Sequence, residues 1–163
     1  MSASLRIREA RPEEASHLSD LAMRSKAMWG YPPDFMEACR EELAVTPAML
    51  VRNSYHCFVA EDEGGIRGFH ALEQLADGDC ELAAMFVEPR HVGTGTGRAL
   101  IEHAKRRATA LGARRLIIQG DPNAVGFYRA AGGEEIGTLE SGSIPGRYLP
   151  LFAITLGNET PAK

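Results

Sequence analysis

Residues 80–100 read CELAAMFVEPRHVGTGTGRAL. An apolar run ends at Glu88, and glycines then occupy alternate positions, Gly93, Gly95 and Gly97, before a segment typical of a helix. Glycine lets successive N–H groups converge at a helix N-terminus, where the helix dipole also favours negative charge. The stretch therefore predicts a strand, a phosphate-binding turn and a helix.

Two better-known phosphate-binding motifs do not fit this turn. The P-loop requires Lys and then Ser or Thr after its last glycine, whereas this chain has Arg98 and Ala99. The dinucleotide fingerprint requires G-x-G-x-x-G near the first strand, whereas the spacing here is G-x-G-x-G and lies past mid-chain. A nucleotide-binding domain of another kind is therefore disfavoured.

A second motif lies downstream, where residues 121–132 read DPNAVGFYRAAG. Together the two stretches resemble the GNAT family of N-acetyltransferases, whose motifs read Val-x-Pro, a short loop, Gly-x-Gly-x-Gly or Ala, and later Asn-x-x-Ala-x-x-Phe-Tyr-x-x-x-Gly. The resemblance extends over about residues 4–157. Val92 replaces the family's usual Gln or Arg, and Asp121 replaces its Asn. Arg90 or Arg98 could supply the charge missing at Val92.

The size and charge of the chain favour one globular domain without nucleic-acid or membrane partners. We expect a single domain over residues 1–163, with a core at about 4–157 and a tail at 158–163. A net charge of −4 gives no general attraction to nucleic acid or anionic membrane. No apolar run is long enough to cross a bilayer, and the polar residues at the start of the sequence lead us to expect no signal peptide.

The cysteines and histidines favour a reduced protein without metal. Three cysteines lie far apart in sequence and lack C-x-x-C spacing, which argues against disulfides and zinc. The histidines show no ligand spacing, so we expect no metal. Free thiols indicate a cytoplasmic location.

Hydrophobic periodicity and turn residues predict the order of elements. The expected strands cover about residues 5–10, 56–62, 66–75, 80–88, 114–119, 134–139 and 148–156, and the expected helices begin near residues 11, 34, 96 and 121. With the family resemblance, this order implies an α/β, three-layer GNAT-type fold with a mixed six- to seven-stranded sheet flanked by about four helices.

The resemblance implies acetyl-CoA as co-substrate, with its pantetheine arm along an exposed strand edge and its pyrophosphate on the glycine turn. It also implies that the backbone at Phe86 or Val87 polarises the acetyl carbonyl. The cofactor-binding residues expected on this basis are Met85, Phe86, Val87, Val92, Gly93, Thr94, Gly95, Thr96, Gly97, Arg98, Asn123, Phe127 and Tyr128.

Acetyl transfer to an amine requires an acid for the leaving thiolate. Tyr128 occupies the family position whose hydroxyl often faces the thioester sulfur, and it is the expected catalytic acid. Its alternative role is to pack the helix beside Phe127, which we expect to belong to the core more than to a cofactor wall.

The reaction also requires a base for the attacking amine. Glu81 falls where the histone-acetylating relatives carry a catalytic Glu, and strict alternation places its side chain on the face of Met85 and not of Phe86. Its alternative role is a carboxylate facing water at a strand end. Glu73, His70 or a water chain are substitute bases.

The acceptor site is expected between the loop after the first helix and the loop before the last strand. The expected substrate-binding residues are Trp29, Tyr31, Glu73 and Arg147. Trp29 has an alternative role in the core, and Arg147 an alternative role in bracing its own turn. The predicted function is acetyl transfer from acetyl-CoA to a primary amine of a small molecule or peptide, in a protein that can also form a homodimer. The alternative is a non-catalytic acyl-CoA sensor or interaction module.

Overall fold

A computed structural model describes residues 4–157 of the protein; the predicted tail at 158–163 lies outside these residues. Its strands are β1 (Arg6–Glu9), β2 (Tyr55–Asp62), β3 (Gly65–Gln74), β4 (Cys80–Val87), β5 (Arg115–Gln119), β6 (Glu134–Glu140) and β7 (Tyr148–Thr155). Its helices are α1 (Ala15–Ala27), α2 (Pro33–Leu43), α3 (Pro47–Leu50), α4 (Thr96–Ala110) and α5 (Val125–Ala130). Short 3-10 turns cover Pro12–Glu14, Pro89–His91 and Pro122–Ala124.

The strands form one mixed sheet in the order β1-β2-β3-β4-β5-β7-β6. The predicted α/β class and strand number are confirmed, but the prediction of about four helices missed α3. No helix was expected near residue 47, whereas Pro47 begins one. Pro is favourable in a first helical turn, and the Thr46 hydroxyl caps this turn by accepting a hydrogen bond from the Met49 amide at 3.2 Å.

Hydrophobic side chains cover both faces of the sheet and divide the core in two. One cluster lies between the sheet and α1 and includes Leu18, Leu21 and Phe69. The other lies between the sheet and α4 and includes Ile101 and Phe152. The sheet therefore has an α1 face and an α4 face, and the side on which a strand residue points decides which cluster it joins.

The sheet opens at its centre, between β4 and β5. These two strands pair in parallel only where Cys80 meets Leu116 and Glu81 meets Ile117. Beyond Glu81, β4 continues to Val87 with β3 on one side, while β5 continues against β7 on the other. The second half of β4 therefore presents an unpaired edge, which is a template for hydrogen bonding to an extended group.

A β-bulge interrupts β4 just after this opening. Ala71 pairs with Ala84 while the next residue, Leu72, pairs with Leu82, so Ala83 is the extra residue of the bulge. Because side chains alternate along a strand, one extra residue makes the residues before it and the residues after it follow opposite alternations.

Among residues 4–157, no helix is both long and apolar enough to cross a membrane.

Candidate active site

The glycine turn follows β4 and leads into α4. Gly93 and Gly95 have φ values of +83° and +92°, which residues with a Cβ adopt only with strain. The first hydrogen bond of α4 runs from the Ala99 amide to the Gly95 carbonyl at 3.0 Å, so the amides between Gly95 and Ala99 have no partner within the helix. These amides and the helix dipole at the end of the open strand are the arrangement that favours an anion.

Phe127 of α5 lies over the start of α4. A Cβ built on Gly97 would lie 3.4 Å from the Phe127 ring and 3.8 Å from the Val87 side chain, so the three residues enclose one space. Phe127 is 36% exposed, which contradicts the expectation that it belongs to the core. It is instead placed to act as a wall beside the glycine turn.

The glycine turn has an uncharged side chain, Val92, where the family has Gln or Arg, and positive charge near it comes from Arg90 and Arg98. Val92, in place of the family's Gln or Arg, is 51% exposed. Arg90 and Arg98 are also exposed, and neither has an ion-pair partner among residues 4–157. Thr94 bonds to the His91 carbonyl and to the buried Thr96 hydroxyl within the turn itself.

Tyr128 lies on α5 and belongs to the α4-face cluster. Its ring packs on the backbone of Gly120, where a built Cβ would lie 3.2 Å away, and against Phe152 and Phe127. Burial, together with the nearby charge of Asp121, raises the pKa of Tyr128 to about 12. The hydroxyl is therefore protonated at neutral pH, as a proton donor must be.

Glu73 and Glu81 face each other across β3 and β4. They are direct partners in the strand register, and Glu81 is also the last residue of β4 that pairs with β5. Arg52 and Ser54 both donate hydrogen bonds to the Glu73 carboxylate. Burial and, second, the charge of Glu73 raise the pKa of Glu81, which makes its carboxylate more basic than an exposed one.

The predicted orientation of Glu81 is wrong because of the bulge. Phe86 packs in the α1-face cluster and Met85 packs against the α4-face cluster. Glu81 pairs with Glu73, which lies two residues from Ala71 of the α1-face cluster, so Glu81 shares its face with Phe86 and not with Met85. Strict alternation across Ala83 gave the opposite face.

His70 does not reach this face of the sheet. It is completely buried beneath α4, where its Nε2 lies 2.9 Å from Nδ1 of His103. Burial, and then the charges of His103 and Arg107, lower the pKa of His70 to about 3. The proposal of His70 as a substitute base is therefore wrong, because its side chain points away from Glu81 and Glu73.

A polar cluster links the two loops where the acceptor site was expected. Its members are Lys26, Tyr31, Asp121, Asn123 and Arg147, and we call it the Asp121 cluster. The Tyr31 hydroxyl donates to Asp121 at 2.9 Å and accepts from Arg147 at 2.8 Å and Asn123 at 3.0 Å. The structure thus brings Tyr31 and Arg147 together: the Arg147 guanidinium contacts Tyr31, and the Arg147 amide bonds to the Ile144 carbonyl within its own turn.

Trp29 lies at the end of α1 and is 43% exposed, so its alternative role in the core is wrong. Asn123, expected at the cofactor, donates both to Tyr31 and to Asp121. Sequence reasoning missed Lys26 and the place of Asp121 in this cluster. The signal that could have identified Asp121 is its departure from the family's Asn. A carboxylate at that position favours nearby cations, which here are Lys26 and Arg147.

Known proteins resemble this chain in sequence and in fold. The sequence profile of the acetyltransferase (GNAT) family matches residues 18–132. The chain belongs to the GNAT family. The predicted family and its N-acetyltransferase class are thereby confirmed. A curated relative, the peptidyl-lysine N-acetyltransferase YiaC of Escherichia coli, is 29% identical over 126 residues, which are 77% of this chain and 81% of YiaC.

Solved GNAT structures share the fold of this chain. PaiA N-acetyltransferase from Thermoplasma acidophilum, solved with coenzyme A, superposes with a TM-score of 0.77 at 18% identity, covering 93% of this chain and 99% of PaiA. A GNAT acetyltransferase from Brucella melitensis, solved with acetyl-CoA, gives a TM-score of 0.65 at 21% identity, covering 98% of this chain and 93% of that protein. The predicted GNAT-type fold is confirmed.

Within residues 4–157, no group of three or more His, Cys, Asp or Glu side chains could hold a metal ion.

Proposed function

We propose that this protein transfers the acetyl group of acetyl-CoA to a primary amine by direct attack. The observation that carries the proposal is the open edge of β4, which runs from Glu81 toward the glycine turn at the start of α4. An extended pantetheine arm can pair with this edge while its pyrophosphate meets the unpaired amides of α4.

The predicted cofactor residues fit this arrangement. Met85, Phe86 and Val87 lie on the unpaired part of β4, and the turn from Val92 to Arg98 lies at its end. Phe127 and Gly97 enclose the space between them. Coenzyme A in the PaiA structure and acetyl-CoA in the Brucella structure support the same ligand here.

The reaction requires one C–N bond to form and one C–S bond to break. The neutral amine attacks the thioester carbonyl carbon, and a backbone N–H at Phe86 or Val87 stabilises the developing oxyanion. Glu81 takes a proton from the amine, directly or through a water. Tyr128 gives its proton to the leaving thiolate, which departs as free coenzyme A.

The acceptor amine can belong to a small molecule or to a peptide. Glu73 and Glu81 place negative charge on the α1 face, which favours a cationic amine before it loses its proton. YiaC acts on peptidyl-lysine, so lysine-containing peptides are the first acceptors to test. Arg147 retains guanidinium N–H groups beyond the one bonded to Tyr31 and can pair with an acceptor carboxylate.

A non-catalytic acyl-CoA sensor is the second candidate. Val92 favours it, because a hydrophobic and exposed side chain replaces a family residue able to hydrogen-bond the pyrophosphate. Tyr128 and Glu81 favour the enzyme, since a sensor needs neither a proton donor nor a carboxylate of raised pKa.

Calorimetric titration with acetyl-CoA, coenzyme A and ATP tests the ligand, and a thiol-release screen tests the reaction. The screen covers polyamines, amino acids, aminoglycosides and lysine peptides. We expect acetyl-CoA to bind, ATP not to bind, and one amine class to release free thiol. Acetyl-CoA binding without turnover on any amine would establish the sensor, and ATP binding in place of acetyl-CoA would overturn both.

We further propose that residues 1–163 are one acetyltransferase domain that works in the cytoplasm. Cys39, Cys57 and Cys80 are buried free thiols, which suits a reducing compartment. A homodimer stays a prediction, and sedimentation of the purified protein tests it.

A further inference from the structure

We propose that Asp121 is a positioning residue that joins the acceptor-side loops to the turn leading into α5, the helix of Tyr128, so that the amine and the proton donor are placed as one unit. The inference rests on the proposed function, because it assigns a role within the same site. The family motif does not predict this role, because it has an Asn at the position of Asp121 and does not include Lys26.

The Asp121 carboxylate accepts hydrogen bonds from two separate parts of the chain, the end of α1 with its following loop and the turn after β5. It accepts from the Tyr31 hydroxyl at 2.9 Å and from Lys26 Nζ at 3.1 Å. It also accepts from the Asn123 backbone amide at 2.8 Å, which caps the turn Pro122–Ala124. One side chain thus fixes both the end of α1 with its following loop and the turn that leads into α5.

The loop before β7 joins the same cluster through Arg147. Its guanidinium donates to the Tyr31 hydroxyl at 2.8 Å, lies 3.8 Å from the Asp121 carboxylate, and stacks 4.8 Å from the Phe35 ring centre. Tyr31 and Phe35 stack on each other at 4.2 Å. The two loops therefore meet in one packed unit, and Asp121 is the anion at its centre.

A carboxylate is needed at this position because two cations converge there. The side chains of Lys26 and Arg147 are only 13% and 18% exposed. Bringing partly buried cations together without an anion is costly. An Asn would keep the cap and the bond to Tyr31 but would leave both cations without a counter-charge.

Asp121 connects to Tyr128 through the adjoining backbone. The Tyr128 ring packs on Gly120, the residue before Asp121, and Tyr128 follows the turn that Asp121 caps. A shift of Asp121 toward or away from the loops therefore moves the surface on which the proton donor rests. Small displacements of this kind at a reacting centre cost about 100-fold in rate.

Asp121→Asn tests the proposal, with Tyr31→Phe as a second variant that keeps the stack on Phe35. We expect Asp121→Asn to lower kcat/KM for the amine between about 10-fold and about 100-fold and to change KM for acetyl-CoA less than about threefold. Tyr31→Phe should act in the same direction. The double variant should be no worse than Asp121→Asn alone, because the two residues act as one unit.

Asp62→Asn is the matched control. Asp62 also caps a turn, accepting from the Gly64 amide at 2.8 Å, and pairs with Arg67 at 2.8 Å, but it lies in the hairpin between β2 and β3. We expect this variant to leave kcat/KM for the amine within about twofold. An equal loss in Asp62→Asn would mean that any removed turn carboxylate has this effect, and would overturn the proposal.

Hydrogen exchange of the free protein supplies a readout that needs no turnover. We expect Asp121→Asn to speed exchange in the loop around Tyr31 and in the loop before β7 together, whereas Asp62→Asn changes neither. Unchanged exchange in both loops overturns the proposal, whatever the activity. Loosened loops with an unchanged amine kcat/KM assign Asp121 a structural role only. Failure of the unmodified protein to acetylate any amine counts against the proposed function and leaves the exchange result to decide the coupling of the loops.

Discussion

The proposed cofactor site and the proposed acceptor site are built from different groups. On the proposed cofactor side, most of the groups available for binding are backbone amides and a strand edge, which residues 80–100 supply. On the proposed acceptor side, they are side chains of the Asp121 cluster, which come from chain segments as far apart as Lys26 and Arg147. Backbone binding leaves a continuous sequence motif, whereas a side-chain cluster of this kind does not.

This difference separates what the two sides can do. A backbone site is insensitive to most side-chain changes but fails where a residue cannot adopt the required φ. A side-chain cluster tolerates backbone substitutions elsewhere but depends on each of its charges. Ligand identity on the cofactor side should therefore be fixed, while acceptor choice can vary through few substitutions.

Gly95→Val should have the largest effect. Its φ of +92° is strained for a β-branched residue, so the turn must change and its amides leave the phosphate. Losing two charge-assisted hydrogen bonds at ~2 kcal/mol each predicts a loss of acetyl-CoA affinity of about 1000-fold, measured by calorimetry.

Two other glycine-to-valine variants control for general strain. Gly112, with φ +89°, ends α4, and Gly146, with φ +81°, precedes Arg147. We expect Gly112→Val to affect neither substrate and Gly146→Val to raise KM for the amine only. Normal acetyl-CoA binding by Gly95→Val would contradict the assignment of the phosphate site.

Tyr128→Phe should have the next largest effect. Removing the proton donor is expected to lower kcat about 100-fold, the lower end of general acid catalysis, with KM for acetyl-CoA within about twofold. Steady-state kinetics with both substrates measures it. Tyr55→Phe is the control, since Tyr55 is 5% exposed and Tyr128 is 8% exposed. Equal losses in both variants would show that packing, and not the hydroxyl, matters.

The carboxylate pair predicts a shift in the pH profile of kcat. The negative charge of Glu73 helps to raise the pKa of Glu81, and a base works only when deprotonated. Glu73→Gln should therefore lower the pKa of Glu81 and move the acidic limb of the profile to lower pH. Glu81→Gln should remove this limb. A limb unchanged in Glu81→Gln would assign the base to another group or to a water chain.

The smallest expected effect is on the pH dependence of the free energy of unfolding, and it comes from His70 beneath α4. It stays neutral when folded because its pKa is lowered to about 3 from the ordinary value of 6.5. The unfolded chain therefore binds a proton that the folded chain does not, and stability falls as pH falls below 6.5. Between pH 6.5 and pH 5.5 this costs about 1 kcal/mol, measurable by urea unfolding. A variant with His70→Leu should show a shallower dependence, and an equal slope would contradict the assignment.

The sequence predicted the fold and the strand–turn–helix order of residues 80–100 well because both depend on local patterns. Alternation, turn residues and the G-x-G-x-G spacing located the seven strands of the sheet and the glycine turn before α4. The helix α3 was missed because Pro47 both ends one element and begins the next. These are properties of neighbouring residues, which a sequence displays directly.

The acceptor side was predicted only in part. Tyr31 and Arg147 were assigned to one region and do contact each other, and their role in binding an acceptor stays a prediction. Asp121 and Lys26 were not assigned to that region, since hydrogen bonds across 90 or more residues leave no sequence spacing that indicates them. His70 was proposed as a base because it shares a strand with Glu73, while an odd separation places the two on opposite faces.

Ala83 acts as a phase shift in the chain. Because it occupies a position without a partner, the segment before it and the segment after it follow opposite alternations. Deleting Ala83 while keeping the second half of β4 in place would turn Glu81 into the hydrophobic core under α4 and bring Cys80 and Leu82 to the opposite surface. An insertion or deletion at this point of β4 would thus move Glu81 into the core and core residues out of it, although none of these side chains had been substituted.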